Sequence, residues 1–503
     1  MFDKQIIMPE QAGVSSKHIE KYLKKLEKYG ISTHSMIMLR GNNIFYENYW
    51  EPFNCDFMHR IYSETKSLVS IAVGFAIQDG LMSLDDLIVS YFDATITENA
   101  SKYAKQQTVR NVLMMASGSY VNGADMFGEY DDFVKKYFDG TCKSKIEGKI
   151  PGTMFFYDSR GVTVLCAAVE RVTGMPFMEY LREKLFKKIG VSDSAYCLKV
   201  PGGYSWGESG VLCTPRDMLK IALFTMNYGK WNGEQILNEE YLREATSNLI
   251  SSDCSGYVSE AGYGYGYLIW RQQQNSFFFS GMGCQFSICV PDKKLIFIYN
   301  GDNQGNPLAK SVIIDNFYDI IVDNMSSEPI DNFQDDYHSL MELSSECCLS
   351  YCKGESYNQL AEKINGKCYK LDKNPMGIEW LKIFFNGDSA VMYYKNAQGE
   401  KTLEFGFGKN IFGKFPQEGY SDEIVPLFAP GHFYDCAASG EWQKENKLHI
   451  SVQIIDKYFG RLHIFIDFKD ETKFTITMSK TAENFLQEYT GVAVGYIVDD
   501  SKL

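Results

Sequence analysis

The sequence SETKSLVSIAVGFAI spans residues 63–77 and determines how the rest of the chain is interpreted. Ser63 lies three positions before Lys66, and residues three apart share one face of a helix, so the amine can reach the hydroxyl. The residues that follow are apolar nearly all round, which is typical of a buried helix, and Asp79-Gly80 predicts its end. Because burial disfavours a charged ammonium, it lowers the pKa of a lysine. The pattern therefore predicts a serine nucleophile with a lysine base.

The same Ser-x-x-Lys pattern occurs a second time, so the four residues alone do not decide the matter. The second copy, Ser350-Tyr-Cys-Lys353, lies in a polar stretch with no apolar helix after it, and we interpret it as chance. For Ser63 the alternative is a helix-capping serine followed by a lysine that extends its amine towards water. The remaining motifs have to separate these two interpretations.

Composition restricts the class of protein and of partner. A chain of 503 residues is expected to contain at least two domains. The net charge of −14 repels nucleic-acid phosphates and anionic lipid, which argues against both as partners. No apolar run reaches the ~18 residues of a membrane span. The first ten residues, MFDKQIIMPE, lack the pattern of a signal peptide.

Cysteine and histidine usage favours a reducing compartment and no bound metal. The 13 cysteines are odd in number and form no Cys-x-x-Cys pair, and Cys347 is adjacent to Cys348. We therefore expect reduced thiols and a cytoplasmic location. The seven histidines are dispersed without ligand-like spacing, so a zinc site is not expected. We predict no metal and no cofactor.

Hydrophobic periodicity predicts an α+β fold over the first three hundred residues. Strands at 35–40 and 43–50 are joined by a Gly41-Asn42 turn, and strands return near 264–300. Helical patterns fill the interval, so strands from both ends are predicted to share one antiparallel sheet flanked by helices. Besides the helix that follows Ser63, the predicted helices cover 15–29, 107–116, 161–173, 176–189 and 214–228.

A second domain is predicted after a polar, acidic break that begins at Ser326. Apolar and polar residues then alternate with a period of two, as at 448–454 and 462–468, which predicts an antiparallel sheet or small barrel. We divide the chain into a first domain at 1–325, a linker region at 326–362 and an all-β C-terminal domain at 363–503.

Five stretches of the first domain follow one another in a characteristic order: SETKS at 63–67, TVRNVLMMASG at 108–118, PGTMFFYDSRG at 151–161, GESGVLCTPRDML at 207–219 and GMGCQ at 281–285. Together they make residues 8–325 resemble the serine β-lactamase-like hydrolases, which are related to class C β-lactamases, DD-peptidases and esterases. The resemblance implies a β-lactamase/transpeptidase-like fold, similar to that of penicillin-binding proteins. It also implies that the protein is a serine hydrolase that forms an acyl-enzyme on Ser63.

The family pattern includes a tyrosine that assists the serine in a Tyr-x-Asn motif. Tyr120-Val-Asn122 matches this motif literally, whereas Tyr157-Asp-Ser159 carries serine in the third place. We select Tyr157 because it follows a Pro-Gly turn and precedes an apolar helix, which is the context of the family motif. Tyr120 is then a candidate pocket residue. Ser159 offers a hydroxyl where the family often has an amide.

The third family motif, Lys/His-Ser/Thr-Gly, has no literal match in this chain. Its positional equivalent is Phe279-Ser280-Gly281, in which an aromatic ring replaces the cation. Loss of that cation removes a charge-assisted hydrogen bond of ~1.5–3 kcal/mol, which argues for a neutral ester or small amide. The resemblance further implies an oxyanion hole built from the backbone N–H groups of Met282 and Ser63.

Two other features are weighed against this pattern. Gly203-Tyr-Ser-Trp-Gly207 fits a nucleophile elbow but lacks the preceding strand, so we interpret it as a loop, with Trp206 as a candidate substrate contact. We interpret His59 as structural.

The function predicted from the sequence is therefore hydrolysis of a small-molecule ester or amide, with homo-oligomerisation left open. One alternative is a penicillin-recognising D-amino-acid peptidase or β-lactamase. The alternative from another class is a binding protein that keeps the fold without turnover.

Overall fold

The computed structural model describes residues 6–118, 131–141, 150–253, 262–331, 334–419, 432–483 and 485–499. The chain forms two compact units, the first comprising Met1–Cys348 and the second most of 349–503. Two units are what the sequence predicts, but the division falls between residues 348 and 349. The sequence analysis places the end of the first domain earlier, at residue 325.

The helices of the first unit surround a largely apolar core. They are α1 (Ser16–Lys28), α2 (Thr65–Gln78), α3 (Ala94–Thr97), α4 (Val109–Leu113), α5 (Phe133–Lys136), α6 (Ser159–Thr173), α7 (Phe177–Leu181), α8 (Lys187–Ile189), α9 (Pro215–Met226), α10 (Glu239–Ala245), α11 (Ala309–Asn316) and α12 (Gln334–Ser345). Single π-helical turns continue α5, α7 and α11 at Tyr137–Thr141, Arg182–Phe186 and Phe317–Ile321. The first twelve residues of α2 are buried, as its all-round apolar sequence predicts.

Strands from both ends of the first unit share one sheet, which confirms the prediction. The six strands run in the order β2-β1-β11-β10-β9-β8. The pairing of β1 with β11 is antiparallel and joins Ile37 to Ile298. The strands are β1 (Thr33–Arg40), β2 (Asn43–Tyr49), β8 (Trp270–Arg271), β9 (Phe277–Gly281), β10 (Gln285–Val290) and β11 (Leu295–Gly301).

Two smaller sheets complete the first unit. One has the order β3-β5-β4, and the other pairs β6 with β7. The strand β3 leads directly into the segment that carries Ser63. The strands are β3 (His59–Arg60), β4 (Tyr196–Cys197), β5 (Val211–Cys213), β6 (Lys230–Trp231) and β7 (Glu234–Gln235).

The second unit is a β-barrel, one of the two alternatives predicted. Its sheet has the order β15-β14-β13-β12-β21-β20-β19-β18-β17-β16, and a short parallel pairing of β15 with β17 closes it. The strands are β12 (Cys368–Leu371), β13 (Trp380–Asn386), β14 (Ser389–Asn396), β15 (Gly399–Phe407), β16 (Ile411–Glu418), β17 (Phe433–Lys444), β18 (Lys447–Ile455), β19 (Phe459–Asp470), β20 (Lys473–Ala482) and β21 (Gly491–Val498). A helix, α13 (Gln359–Ile364), precedes them.

The segment predicted as a linker contains ordered structure that belongs to the first unit. Helix α12 lies within it and packs against α1. Ser344 fixes this helix to the edge strand β2, because its hydroxyl lies 3.1 Å from that of Tyr46 and its carbonyl accepts from Asn48. A polar, acidic composition suggested a linker, but a helix can be polar on its exposed face and still dock through the other.

None of the described helices combines the length and the apolar character needed to cross a bilayer.

Candidate active site

Ser63 lies in a strained turn immediately before α2. The turn is a single 3-10 segment, Tyr62–Glu64, so the α-helix begins two residues after the serine rather than at it. Tyr62 has a φ of 48°, which is unfavourable for a residue with a bulky side chain. Packing holds it there, because Tyr62 is buried and the guanidinium carbon of Arg60 lies 4.3 Å from its ring centre. The turn leaves Ser63 partly exposed.

Lys66 lies beside the serine, as the sequence predicts. Its Nζ is 2.8 Å from the Oγ of Ser63 and 2.6 Å from the backbone oxygen of Glu208, to which it donates. Lys66 itself is only 2% exposed. A neutral amine has two N–H groups and one lone pair, so donation to the Glu208 carbonyl leaves the lone pair available for the serine proton.

The surroundings of Lys66 favour its neutral form. Its pKa lies well below the ordinary lysine value, first because burial removes the ammonium from water and second because the Arg160 guanidinium repels it. The carboxylate of Asp158 acts in the opposite direction with a smaller effect. A neutral lysine in contact with a serine hydroxyl is the arrangement of a general base with its nucleophile.

Glu208 holds the groups behind the lysine together. Its carboxylate accepts from the Nε1 of Trp206 at 2.8 Å and forms an ion pair with Arg160. Its backbone N–H donates to Thr163 on α6. Trp206 is only 5% exposed, and Arg60 lies against its ring. The structure thus gives Trp206 a packing role that fixes Glu208, and it does not support Trp206 as a substrate contact.

Tyr157 lies on the other side of the lysine. The Nζ of Lys66 is 5.0 Å from the centre of its ring. The ring stacks on Trp270 of β8, with centres 5.7 Å apart and planes at 21°. Tyr265 and Phe155 pack against the same tryptophan at 4.8 and 5.5 Å between ring centres. This aromatic group orients Tyr157, which remains partly exposed.

Asp158 and Ser159 form the start of α6. The Asp158 carboxylate caps the helix by accepting from the N–H of Gly161, and it also accepts from Ser117 at 2.6 Å and Tyr137 at 3.2 Å. Ser159 is the first residue of the helix and is half-buried, two positions after Tyr157. The cap fixes the backbone that carries both residues.

The end of β9 lies directly against the serine turn. A β-carbon on Gly281 would be 2.3 Å from the carbonyl oxygen of Ile61, so only glycine allows this approach. Ser280 is 8% exposed, and Met282, just beyond the strand, is 39% exposed. The Gln285 side chain donates to the carbonyl of Met282 at 3.0 Å and steadies the turn. The predicted positional equivalent of the third motif thus lies beside the nucleophile.

A lysine that the sequence analysis did not select lies at the same strand. Lys310, the second residue of α11, places its Nζ 3.4 Å from the Oγ of Ser280. Its side chain is half-buried. The cation missing from position 279 is therefore present nearby, carried by a different element. Position 279 is aromatic, as the sequence analysis states, but a cation nevertheless lies at this strand.

Other sequence predictions are placed as follows. Tyr120 and Asn122 lie outside the described residues. Residues 350–353 are not helical, which agrees with a chance match. His59 is buried, with its pKa lowered to about 3 by burial, and its ring bonds His34 and the carbonyl of Arg60. That environment agrees with a structural role.

The sheet, the buried helix α2 and the contact of Ser63 with Lys66 together form a serine-hydrolase fold. The β-lactamase family model matches residues 17–310, more than half of the chain, so the protein belongs to the β-lactamase family.

Curated relatives match the chain over part of its length. A 6-aminohexanoate-dimer hydrolase of Paenarthrobacter ureafaciens is 26% identical over 223 residues, 42% of this chain and 56% of the relative. An uncharacterised protein of Alkalihalophilus pseudofirmus is 22% identical over 240 residues, 42% of this chain and 64% of the relative. The chain therefore spans less than two thirds of the curated relatives it matches.

Solved structures of similar proteins cover the chain to different extents. An octameric penicillin-binding protein homologue from Pyrococcus abyssi has a TM-score of 0.49 at 15% identity and covers 95% of this chain and 99% of its own. A family VIII carboxylesterase has a TM-score of 0.48 at 16% identity and covers 63% of this chain and 99% of its own.

Proposed function

We propose that the first unit hydrolyses an ester or a small amide through an acyl-enzyme on Ser63. The observation that carries this proposal is the 2.8 Å separation between the Ser63 Oγ and the Nζ of Lys66, a lysine whose burial lowers its pKa. A binding protein of the same fold would gain nothing from a neutral amine in contact with a partly exposed hydroxyl. The geometry therefore supports turnover over binding alone.

In the proposed reaction Lys66 takes the Ser63 proton as the hydroxyl oxygen attacks the substrate carbonyl. The oxyanion that forms is stabilised by the backbone N–H groups of Ser63 and Met282. Tyr157, next to the lysine, donates its hydroxyl proton to the departing alcohol or amine as the carbon–heteroatom bond breaks, and Lys66 reprotonates Tyr157 with the proton taken from Ser63. Water then attacks the acyl-serine ester and loses a proton to the same pair of residues. The pair returns this proton to the Ser63 oxygen as the ester bond breaks and the acid is released.

Lys310 favours a second candidate within the same chemistry. A cation near Ser280 can form a charge-assisted hydrogen bond with a carboxylate on the substrate, which a neutral ester lacks. Peptides that end in a D-amino acid with a free C-terminus, and penicillin-type β-lactams, carry such a carboxylate. Ester hydrolysis remains the first proposal, because acylation needs only the serine, the lysine and the oxyanion hole.

The test is labelling with a fluorophosphonate, with the modified peptide located by mass spectrometry. We expect one labelled serine, Ser63, and no labelling in Ser63→Ala. Lys66→Met keeps an apolar chain of similar length in the buried space and should reduce the labelling rate at least tenfold. Ser350→Ala, which changes the second Ser-x-x-Lys copy, is the matched control and should label as the wild type does. An unlabelled Ser63 in folded protein would overturn the proposal.

Substrate class is then determined by comparing neutral p-nitrophenyl esters with carboxylate-bearing amides and nitrocefin. Faster turnover of the esters supports the first candidate, and faster turnover of the amides or nitrocefin supports the second. Homo-oligomerisation stays a prediction, and light scattering during size-exclusion chromatography tests it.

A further inference from the structure

Three metal-ligating side chains converge in the second unit, far along the chain from the serine site. They are Cys352, Glu441 and His449, and one ligand atom from each lies within 4.8 Å of the other two. Cys352 precedes the barrel, whereas Glu441 on β17 and His449 on β18 are directly opposite each other in the antiparallel pairing. The barrel register therefore fixes two of the three ligands on one face.

Two of the three distances between ligand atoms are close to those around a tetrahedral ion. The Nδ1 of His449 lies 3.8 Å from the Sγ of Cys352 and 3.1 Å from the Oε1 of Glu441. A zinc ion with ordinary bond lengths holds sulfur and nitrogen about 3.6 Å apart, and nitrogen and oxygen about 3.3 Å apart. Small side-chain rotations would bring all three atoms to one centre.

The contacts of His449 differ from those of a proton relay. In a catalytic relay the nucleophile and the acid occupy opposite nitrogens of the imidazole. Here the thiol and the carboxylate both face Nδ1, which carries at most one proton. The opposite nitrogen, Nε2, lies 3.1 Å from the Nδ1 of His463. Convergence of a thiol and a carboxylate on one imidazole nitrogen is the arrangement that metal ligands adopt.

Neighbouring groups fix the orientation of the ligands. His463 on β19 occupies the second nitrogen of His449, as outer partners of metal-binding histidines do. The other oxygen of Glu441, Oε2, accepts from the backbone N–H of Gly354 at 2.8 Å. The side chains of Glu441 and His449 are 16% and 11% exposed, so the site is shielded but reachable from solvent.

We propose that Cys352, Glu441 and His449 form a zinc site in the second unit, with water as the fourth ligand. The mixture of thiolate, imidazole and carboxylate suits zinc among the common divalent ions. Binding requires loss of the Cys352 proton. The Sγ of Cys352 lies 3.6 Å from the backbone oxygen of Ser439, to which the S–H donates.

The sequence argument against a metal site rested on local spacing. Cys352 and Glu441 are 89 positions apart, and the closest ligand pair, Glu441 and His449, is joined across two strands rather than along a helix. A short sequence motif therefore cannot identify these three ligands.

The test is a Co²⁺ titration of the full chain, reduced with a phosphine and stripped of metal, followed by competition with Zn²⁺. We expect one Co²⁺ per chain, a thiolate-to-cobalt charge-transfer band, displacement by Zn²⁺, and a higher melting temperature of the zinc form. Cys352→Ser should abolish the band, and His449→Gln should abolish stoichiometric binding. His463→Gln should weaken affinity about 10- to 100-fold.

Cys436→Ser is the matched control, because Cys436 is another buried cysteine of the barrel. It should keep the band and the stoichiometry, and far-UV circular dichroism should show that every variant is folded. Absence of stoichiometric Co²⁺ binding to folded wild type would overturn the proposal. So would a band that survives Cys352→Ser. Fluorophosphonate labelling of Ser63 is independent of all these outcomes.

Discussion

Gly281 approaches Ile61 so closely that a β-carbon at residue 281 would lie 2.3 Å from the Ile61 carbonyl oxygen. Ile61 is two residues before the nucleophile, so this contact sets the distance between the serine turn and the strand that is proposed to complete the oxyanion hole. The obstacle is backbone, and it cannot move away without moving Ser63.

Gly281→Ala should therefore reduce activity more than stability. The added methyl would separate β9 from the turn, and displacements near 1 Å at a reacting centre cost about 100-fold in rate. The measurements are kcat for ester hydrolysis and the melting temperature. Gly413→Ala is the control, because its β-carbon would meet no atom within 4 Å and its φ is not positive. Equal kcat in both variants would show that the approach is not needed.

The pH dependence of acylation should have an acid limb governed by Lys66. The lysine is a base only when neutral, and its pKa lies well below the ordinary value, so the rate should reach its plateau well below pH 10.5 and fall as the amine becomes protonated. The measurement is the fluorophosphonate labelling rate against pH. Lys66→Met should be slow at every pH. A wild-type rate that keeps rising to the ordinary lysine pKa would contradict the role of burial.

Tyr157→Phe should slow acylation by about 100-fold or more, the usual contribution of a positioned proton donor or acceptor. The ring would still stack on Trp270 and face Lys66, so the melting temperature should change little. The measurement is kcat/KM for an activated ester and for an amide. The loss should be larger for the amide, whose poorer leaving group needs the proton more. An unchanged amide rate would exclude the proposed role.

Glu64 should make the protein less stable as pH rises. Its side chain is buried next to Ser287, and its desolvation raises the pKa of the carboxyl from 4.5 to about 8. In the unfolded chain the group ionises above about pH 4.5. The contribution of the neutral carboxyl to the free energy of unfolding is therefore complete below that pH and is lost as pH rises through about 8. The loss amounts to about 1.4 kcal/mol for each unit of difference between the folded and unfolded pKa.

Glu64→Gln imitates the protonated carboxyl and should remove this dependence. Its melting temperature should exceed that of the wild type by a margin that grows from pH 5 to about pH 9, measured by calorimetry. Glu98→Gln, at an exposed position, is the control and should follow the wild type. Parallel curves for the wild type and Glu64→Gln would show that Glu64 is already ionised in the folded protein.

Lys310→Met should discriminate between substrate classes. The substitution removes the cation near Ser280. Because the lysine is half-exposed, we expect a loss at the lower end of the range for a charge-assisted hydrogen bond, which corresponds to about tenfold in kcat/KM. The loss should appear with carboxylate-bearing amides and not with neutral p-nitrophenyl esters. Equal losses on both would assign Lys310 to the structure of β9 rather than to substrate.

Sequence reasoning located the parts of the site that depend on local periodicity. Ser63 and Lys66 are three positions apart at the start of an apolar helix, so the sequence predicts their contact, although Ser63 lies in the 3-10 turn that precedes α2. Tyr157 was selected over Tyr120 by its context before an apolar helix, and it lies beside Lys66. The shared sheet of the first and last strands is predicted from strand patterns at both ends of a helical interval.

Groups brought in by tertiary packing could not be predicted this way. Lys310 comes from a helix with no motif, 30 positions after the serine that it approaches. Glu208 supplies a backbone carbonyl to Lys66. Every residue has a backbone carbonyl, so the residue type does not indicate this contact. The docking of α12 was hidden by its polar composition. Each of these depends on which surfaces meet, which a single sequence does not encode locally.

The pairing of Ile37 with Ile298 has a consequence for synthesis of the chain. These two residues are 261 positions apart, and β1 has no partner on that side until β11 is made. At ~5–20 residues per second a ribosome needs on the order of tens of seconds to cover that interval. During this time an apolar edge of the nascent hairpin is uncovered. The protein should therefore depend on chaperones during translation far more than during refolding of the finished chain.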